Sequence, residues 1–108
     1  MKGSLSFFDA KYDRRIMWKC SLRSFKACIS RMKFSGASFQ GLSARPEGDE
    51  TRLYYTFDIN GRSCVISSIT QLGKFISASG YFEGAYFIEK EIESLFPVKF
   101  SETEDFLS

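Results

Sequence analysis

The chain has 108 residues, 44% hydrophobic and 17% aromatic, with twelve Phe; this is the size and content of one globular domain and argues against a disordered chain. Fifteen Lys/Arg against thirteen Asp/Glu leave a net charge of +2, and there is no histidine, so the commonest general base, hydroxyl or thiol activator and metal ligand is missing. No apolar run approaches the ~18 residues of a membrane span, and the start, MKGSLSFFDAKYDRR, has no apolar core of signal-peptide length, so a cytoplasmic protein away from the membrane is expected.

The small net charge hides a division. Residues 1–45 hold ten Lys/Arg against two Asp, a surplus of eight, while residues 46–108 hold five Lys/Arg against eleven Asp/Glu, a deficit of six. Such asymmetry suggests a basic face and an acidic face, each a surface for a partner, or two halves that neutralise each other in the fold. The three cysteines, Cys20, Cys28 and Cys64, are too few and odd in number for a disulfide framework, and read as small buried side chains in a reducing compartment.

In chain order, Ser4 to Phe8 reads as a short strand, with Asp9 and Asp13 as helix N-caps. Arg14 to Phe34 contains no Gly or Pro, and Trp18, Leu22, Phe25, Ile29 and Met32 recur at steps of four and three, one face of an α-helix. Lys19, Arg23, Lys26, Ser30 and Lys33 repeat those steps one position on and give the seam a basic flank. Ile16, Trp18, Cys20 and Leu22 also alternate, so a strand over 15–23 competes with the helix. Ser35-Gly36 ends the element, Gly suiting a left-handed cap. Ser38 to Ala44 reads as a strand in which Phe39 and Leu42 follow no clean period. Arg45 to Glu50 reads as a surface loop.

Thr51 to Ile69 is the clearest element. Asn60-Gly61 suits a two-residue type I′ turn, and Leu53, Tyr55, Phe57 and Ile59 alternate with polar neighbours. Such a turn pairs Ile59 with Arg62, Phe57 with Cys64 and Tyr55 with Ile66. A lone hairpin is marginal in water, so its apolar face requires further strands and a helix over it. Thr70 to Ser79 reads as a short helix or as a strand centred on Lys74 to Ile76. Tyr81 to Phe96 reads as a second helix, with Tyr81, Ala85, Ile88, Ile92 and Leu95 on one face and Pro97 ending it. Val98 to Phe100 reads as a last strand, and 101–108 as a frayed tail. The expected architecture is a single α+β domain over 1–108: an antiparallel sheet built around the 51–69 hairpin, with about two helices packed on it.

Few chemistries are legible. There is no CxxC, no GxxxxGK[ST] or GxGxxG loop and no EF-hand spacing, so no cofactor or metal is expected, and an enzyme would have to work through Cys or carboxylates. Two constellations remain. The basic one is Arg14, Arg15, Lys19, Arg23, Lys26, Arg31 and Lys33, interleaved with Trp18 and Phe25, where cations could follow a phosphate backbone and aromatics stack bases; against this, both aromatics fall on the apolar face that the core needs. The acidic one is Glu83, Glu89, Glu91, Glu93, Glu102, Glu104 and Asp105, which could dock a basic protein, with Tyr81, Tyr86 and Phe87 as anchors; against this, it could be a solvated helix face.

In general character the chain resembles the immunity proteins of bacterial toxin–immunity pairs, including those of contact-dependent growth inhibition. The likeness lies in size, the missing catalytic constellation and the charge division. It implies a non-catalytic module that neutralises a cognate toxin, such as a nuclease, by covering its active site. A nucleic-acid-binding module using the 14–33 segment is the alternative.

Overall fold

The structure, a computed structural model, describes residues 16–103. The strand expected over 4–8, the caps Asp9 and Asp13, and Arg14, Arg15, Glu104 and Asp105 lie outside the described residues. In chain order the elements are β1 (Ile16–Lys19), α1 (Leu22–Phe34), β2 (Ser38–Glu47), β3 (Glu50–Ile59), β4 (Arg62–Ile69), β5 (Lys74–Ile76), α2 (Ala85–Leu95) and β6 (Lys99–Ser101). Four strands form a sheet in the order β1-β4-β3-β2, and β5 and β6 form a separate two-stranded sheet. The fold is α+β, as expected, with one addition: β1 runs parallel to β4, so the sheet is mixed.

The 51–69 hairpin sits at the centre of the sheet. Its register is the one the turn demands, with Ile59 opposite Arg62, Phe57 opposite Cys64 and Tyr55 opposite Ile66. Asn60 and Gly61 take φ of 52° and 83°, the left-handed pair that a type I′ turn requires. The neighbouring hairpin corrects the expected 45–50 loop. β2 continues through Arg45 and Pro46 to Glu47, and the turn is only Gly48-Asp49. Pro46 is tolerated because β2 is an edge strand, where a missing N–H breaks no ladder. The Arg52 guanidinium grips both Glu47 oxygens, at 3.0 and 2.8 Å, across this turn.

The absent period in β2 has a plain cause. The register shifts between Phe39 and Gly41, so Phe39 faces Phe57 and Leu42 faces Tyr55. A bulge therefore turns two residues three apart toward the same core face.

The described part of the 14–34 segment, from Ile16 on, is both of the things its pattern allowed. Ile16–Lys19 is a strand, the chain bends at Cys20-Ser21, and a helix follows. Ser21 caps that helix, its hydroxyl accepting from the Ser24 N–H at 3.2 Å. The buried seam is Leu22, Phe25, Ile29 and Met32, so the helical period held from Leu22 onward. Trp18 is not on that seam: it lies on the edge strand β1 and is 48% exposed. At the other end Gly36, at φ 80°, closes the helix as a left-handed residue should.

Both helices cover the same face of the sheet. α1 packs on β4 and β5, and α2 on β2 and β6. The core between them is aromatic. Phe25 meets Tyr55 at 4.9 Å and Phe75 at 4.6 Å between ring centres, and Phe57 meets Phe82 at 5.1 Å. These tilted and edge-on contacts are the favoured geometries, and they use four of the twelve Phe. The second helix starts at Ala85 rather than Tyr81. Tyr81 to Gly84 is a turn, and Gly84 supplies no side-chain cap.

Candidate functional site

Helix α2 divides into an inner and an outer face, and the division breaks up the expected acidic surface. Ala85, Glu89 and Ile92 point inward. Glu89 is 3% exposed, which corrects its placement on a solvent-facing patch. Four residues after Ala85 and three before Ile92, it shares their stripe. Its Oε1 accepts from the Ser77 hydroxyl at 2.5 Å, and its Oε2 from the Ala78 N–H at 2.8 Å and the Tyr55 hydroxyl at 3.4 Å. Burial pushes its carboxyl above the usual carboxylate range, outweighing the three donors that favour the charged form. The same burial, with the Glu89 charge beside it, pushes the Tyr55 phenol well above its ordinary value.

Glu93 is also committed inside the fold. Its Oε2 accepts the Phe100 N–H at 2.8 Å, which ties α2 to β6, and Lys90 reaches its Oε1 at 3.5 Å. Glu83, Glu91 and Glu102 are exposed. Among the described residues, the expected acidic face is thus split between internal clamps, Glu89 and Glu93, and surface positions, Glu83, Glu91 and Glu102.

The outer face of α2 carries Tyr86 and Phe87, two of the three aromatics expected as anchors. Phe87 is 75% exposed and Leu95 74%. With Glu91 between them at steps of four, they form one stripe along the helix. Tyr86, half-exposed, stacks edge-on against Phe87 at 5.2 Å and lies under the Lys90 ammonium at 5.6 Å. Large apolar side chains grouped on one helix face and buried against nothing are a mark of a binding surface. Leu95 was expected on the inner seam; the helix ends there, beyond the edge of the core, and leaves it in solvent.

Beside the start of α2 lies an open groove of about 550 Å³. Phe39, Phe82, Lys33, Ser38, Tyr81 and Glu83 are among the residues that line it. Lys33 donates to the Tyr81 carbonyl at 2.9 Å, with its ammonium 5.6 Å from the Phe82 ring centre.

The described part of the basic constellation is divided between two elements. Lys19 lies on β1, while Arg23, Lys26, Arg31 and Lys33 lie on α1, so Lys19 does not continue the helical row. Phe25 is 1% exposed and cannot stack a base, and Lys33 is engaged with the 81–82 turn. The bend at Cys20-Ser21 is the physical reason: it separates a strand from a helix within what looked like one face.

That bend also brings two thiols together. Cys20 Sγ lies 2.6 Å from Cys28 Sγ, and no disulfide bond joins them. Burial, and then the neighbouring Cys28 sulfur, push the Cys20 thiol up to about 12. Cys64 is buried on β4, and burial pushes its thiol up too. Among the described residues no three His, Cys, Asp or Glu side chains converge as a metal site would need.

The fold so described, two helices on one face of a mixed four-stranded sheet, belongs to a class known from solved structures. No family model matches the chain, and no curated protein matches it by sequence. A chain of the membrane-bound sulfane sulfur reductase, an archaeal respiratory membrane complex, superposes with a TM-score of 0.74 over 90% of this chain and 62% of that one, at 16% identity. The trypsin-resistant fragment (1–134) of Nqo5 superposes with a TM-score of 0.65 over 79% of this chain and 78% of that one, at 15% identity. At such identities the likeness is one of fold.

These matches correct the expected resemblance to toxin-immunity proteins. The architecture is one found in a respiratory membrane complex, and the cognate toxin, together with the idea of covering its active site, falls with that resemblance. The expectation rested on size and charge, and neither specifies a topology.

Proposed function

We propose that this chain is a non-catalytic, partner-binding domain of a multi-subunit redox assembly. The observation that carries this reading is the match of nine-tenths of the chain to a subunit of a respiratory membrane complex. The outer stripe of α2 supports it, since Phe87 and Leu95 stand outside the core of the described residues. The lack of histidine supports a scaffolding rather than a proton-handling role. Among the described residues no helix is long and apolar enough to cross a membrane, so the seat we propose is the surface of another subunit, with Phe87 and Leu95 as anchors.

The test is native separation of a detergent extract from cells producing the tagged chain. Co-migration with a particle that carries redox-cofactor absorbance, lost for Phe87→Asp and Leu95→Asp, is the expected result. Migration as a free chain under every extraction condition would overturn the proposal.

A further inference from the structure

The backbone around Cys20 is fastened on both sides. Its N–H donates to the Ser67 carbonyl at 2.8 Å, and its carbonyl accepts from the Ser68 hydroxyl at 2.5 Å. Both partners belong to β4, so the corner between β1 and α1 is pinned to the sheet. Cys28 sits on α1 beside the buried Ile29 and is half-buried. Eight residues apart along one continuous helix, the two thiols would stand about 12 Å apart along the axis. The bend at Ser21 folds Cys20 back over the first turns of α1, and the sulfurs meet at 2.6 Å.

We propose that Cys20 and Cys28 are a redox-active dithiol that closes reversibly to an intramolecular disulfide. The oxidant is a small-molecule disulfide. The more accessible Cys28, as thiolate, attacks one sulfur of that disulfide; a mixed disulfide forms on Cys28 and one small thiolate leaves. Cys20 then gives up its proton, and its thiolate attacks the Cys28 sulfur and expels the second small thiolate. The protein loses two electrons and two protons, and the small disulfide is reduced to two thiols. The resulting bond ties the corner after β1 to α1, which already touch, so the fold needs no rearrangement to accept it. Cys64, buried on the central hairpin, takes no part. This inference stands on the geometry of the corner alone and is independent of the partner-binding reading.

The test uses the full chain and oxidised glutathione as the probe, with alkylation of remaining thiols after denaturation and mass spectrometry of the peptides. The expected result is loss of two of the three alkylatable thiols, mapped to a Cys20–Cys28 bond and restored by dithiothreitol. In Cys20→Ser the glutathione adduct should persist on Cys28, because nothing resolves it. Wild-type protein that keeps three alkylatable thiols, or that holds glutathione on Cys28 with no internal bond, would overturn the proposal; neither readout depends on the variant's folding.

Discussion

The Tyr55 hydroxyl on the central strand donates to the Glu89 carboxylate on α2 at 3.4 Å, inside a core from which both side chains are all but excluded from solvent. The same carboxylate also holds the Ser77 hydroxyl and the Ala78 N–H. One side chain thus joins the sheet, the segment after β5 and the helix that carries the proposed docking stripe. A buried polar centre of this kind is costly if only partly satisfied, and here three donors converge on it.

Stability should fall with rising pH on account of Glu89. Its folded carboxyl lies above its ordinary value of 4.5. Between that value and the folded one, the native state therefore binds more protons than the unfolded chain. The contribution is most favourable below 4.5 and is lost as pH climbs through the folded value. Glu89→Gln should flatten this slope in urea midpoints measured across the acid-to-neutral range. Glu89→Ala leaves the Tyr55 hydroxyl and the Ala78 N–H without their partner, and should cost about 1–3 kcal/mol.

Glu50 should act in the opposite sense. It accepts from the Thr70 hydroxyl at 2.6 Å and from the N–H groups of Leu72 and Gly73 at 2.8 and 3.0 Å. The Thr70 contact first, then the backbone of Gly73 and Leu72, hold its carboxyl below the ordinary 4.5. Its contribution is present above that value and is lost as pH falls through the folded one. Glu50→Gln keeps the shape but loses half the acceptor capacity. The variant should show less acid loss than wild type in the same titration and faster amide exchange at Leu72 and Gly73.

Two positive-φ positions make opposite predictions for one measurement. Gly61 has φ 83° and open space around its Cα, so Gly61→Ala meets no clash and is penalised by backbone strain alone, about 1–2 kcal/mol. Leu72 has φ 52° and is largely exposed. Leu72→Gly relieves that strain and should stabilise by up to about 1 kcal/mol. Denaturant midpoints should move in opposite directions, with unchanged slopes.

Phe87→Asp and Leu95→Asp should separate binding from folding. Both side chains are about three-quarters exposed, so each substitution should alter stability by no more than about 0.5 kcal/mol. Loss of co-migration with the redox assembly at an unchanged thermal midpoint is the expected pair of results.

How far the sequence could be read depended on how local each signal was. Asn60-Gly61 set the hairpin register without outside help, because a two-residue turn leaves one pairing open. Between Phe39 and Leu42 the alternation failed, because the bulge there is a property of the pairing with β3 rather than of β2's own residues. Over 15–23, strand and helix patterns overlapped; the chain uses both, and the bend between them depends on Cys20 being hydrogen-bonded to Ser67 and Ser68, 47 and 48 positions away. Glu89 was expected on the acidic surface because of its charge, although its spacing from Ala85 and Ile92 puts it on their buried stripe. Only its three distant donors explain why it is inside.

By itself, then, the amino-acid order determined the α+β class, the central hairpin with its pairing, the apolar seam of α1 from Leu22 and the short strand after Pro97, because turns and periodicities act between near neighbours. The tertiary structure alone decided which carboxylates are clamps, which aromatics are left on the outside of α2, and that Cys20 meets Cys28. Those outcomes depend on which distant backbone and side-chain groups arrive at each residue, and burial and hydrogen bonding are set only when the layers close.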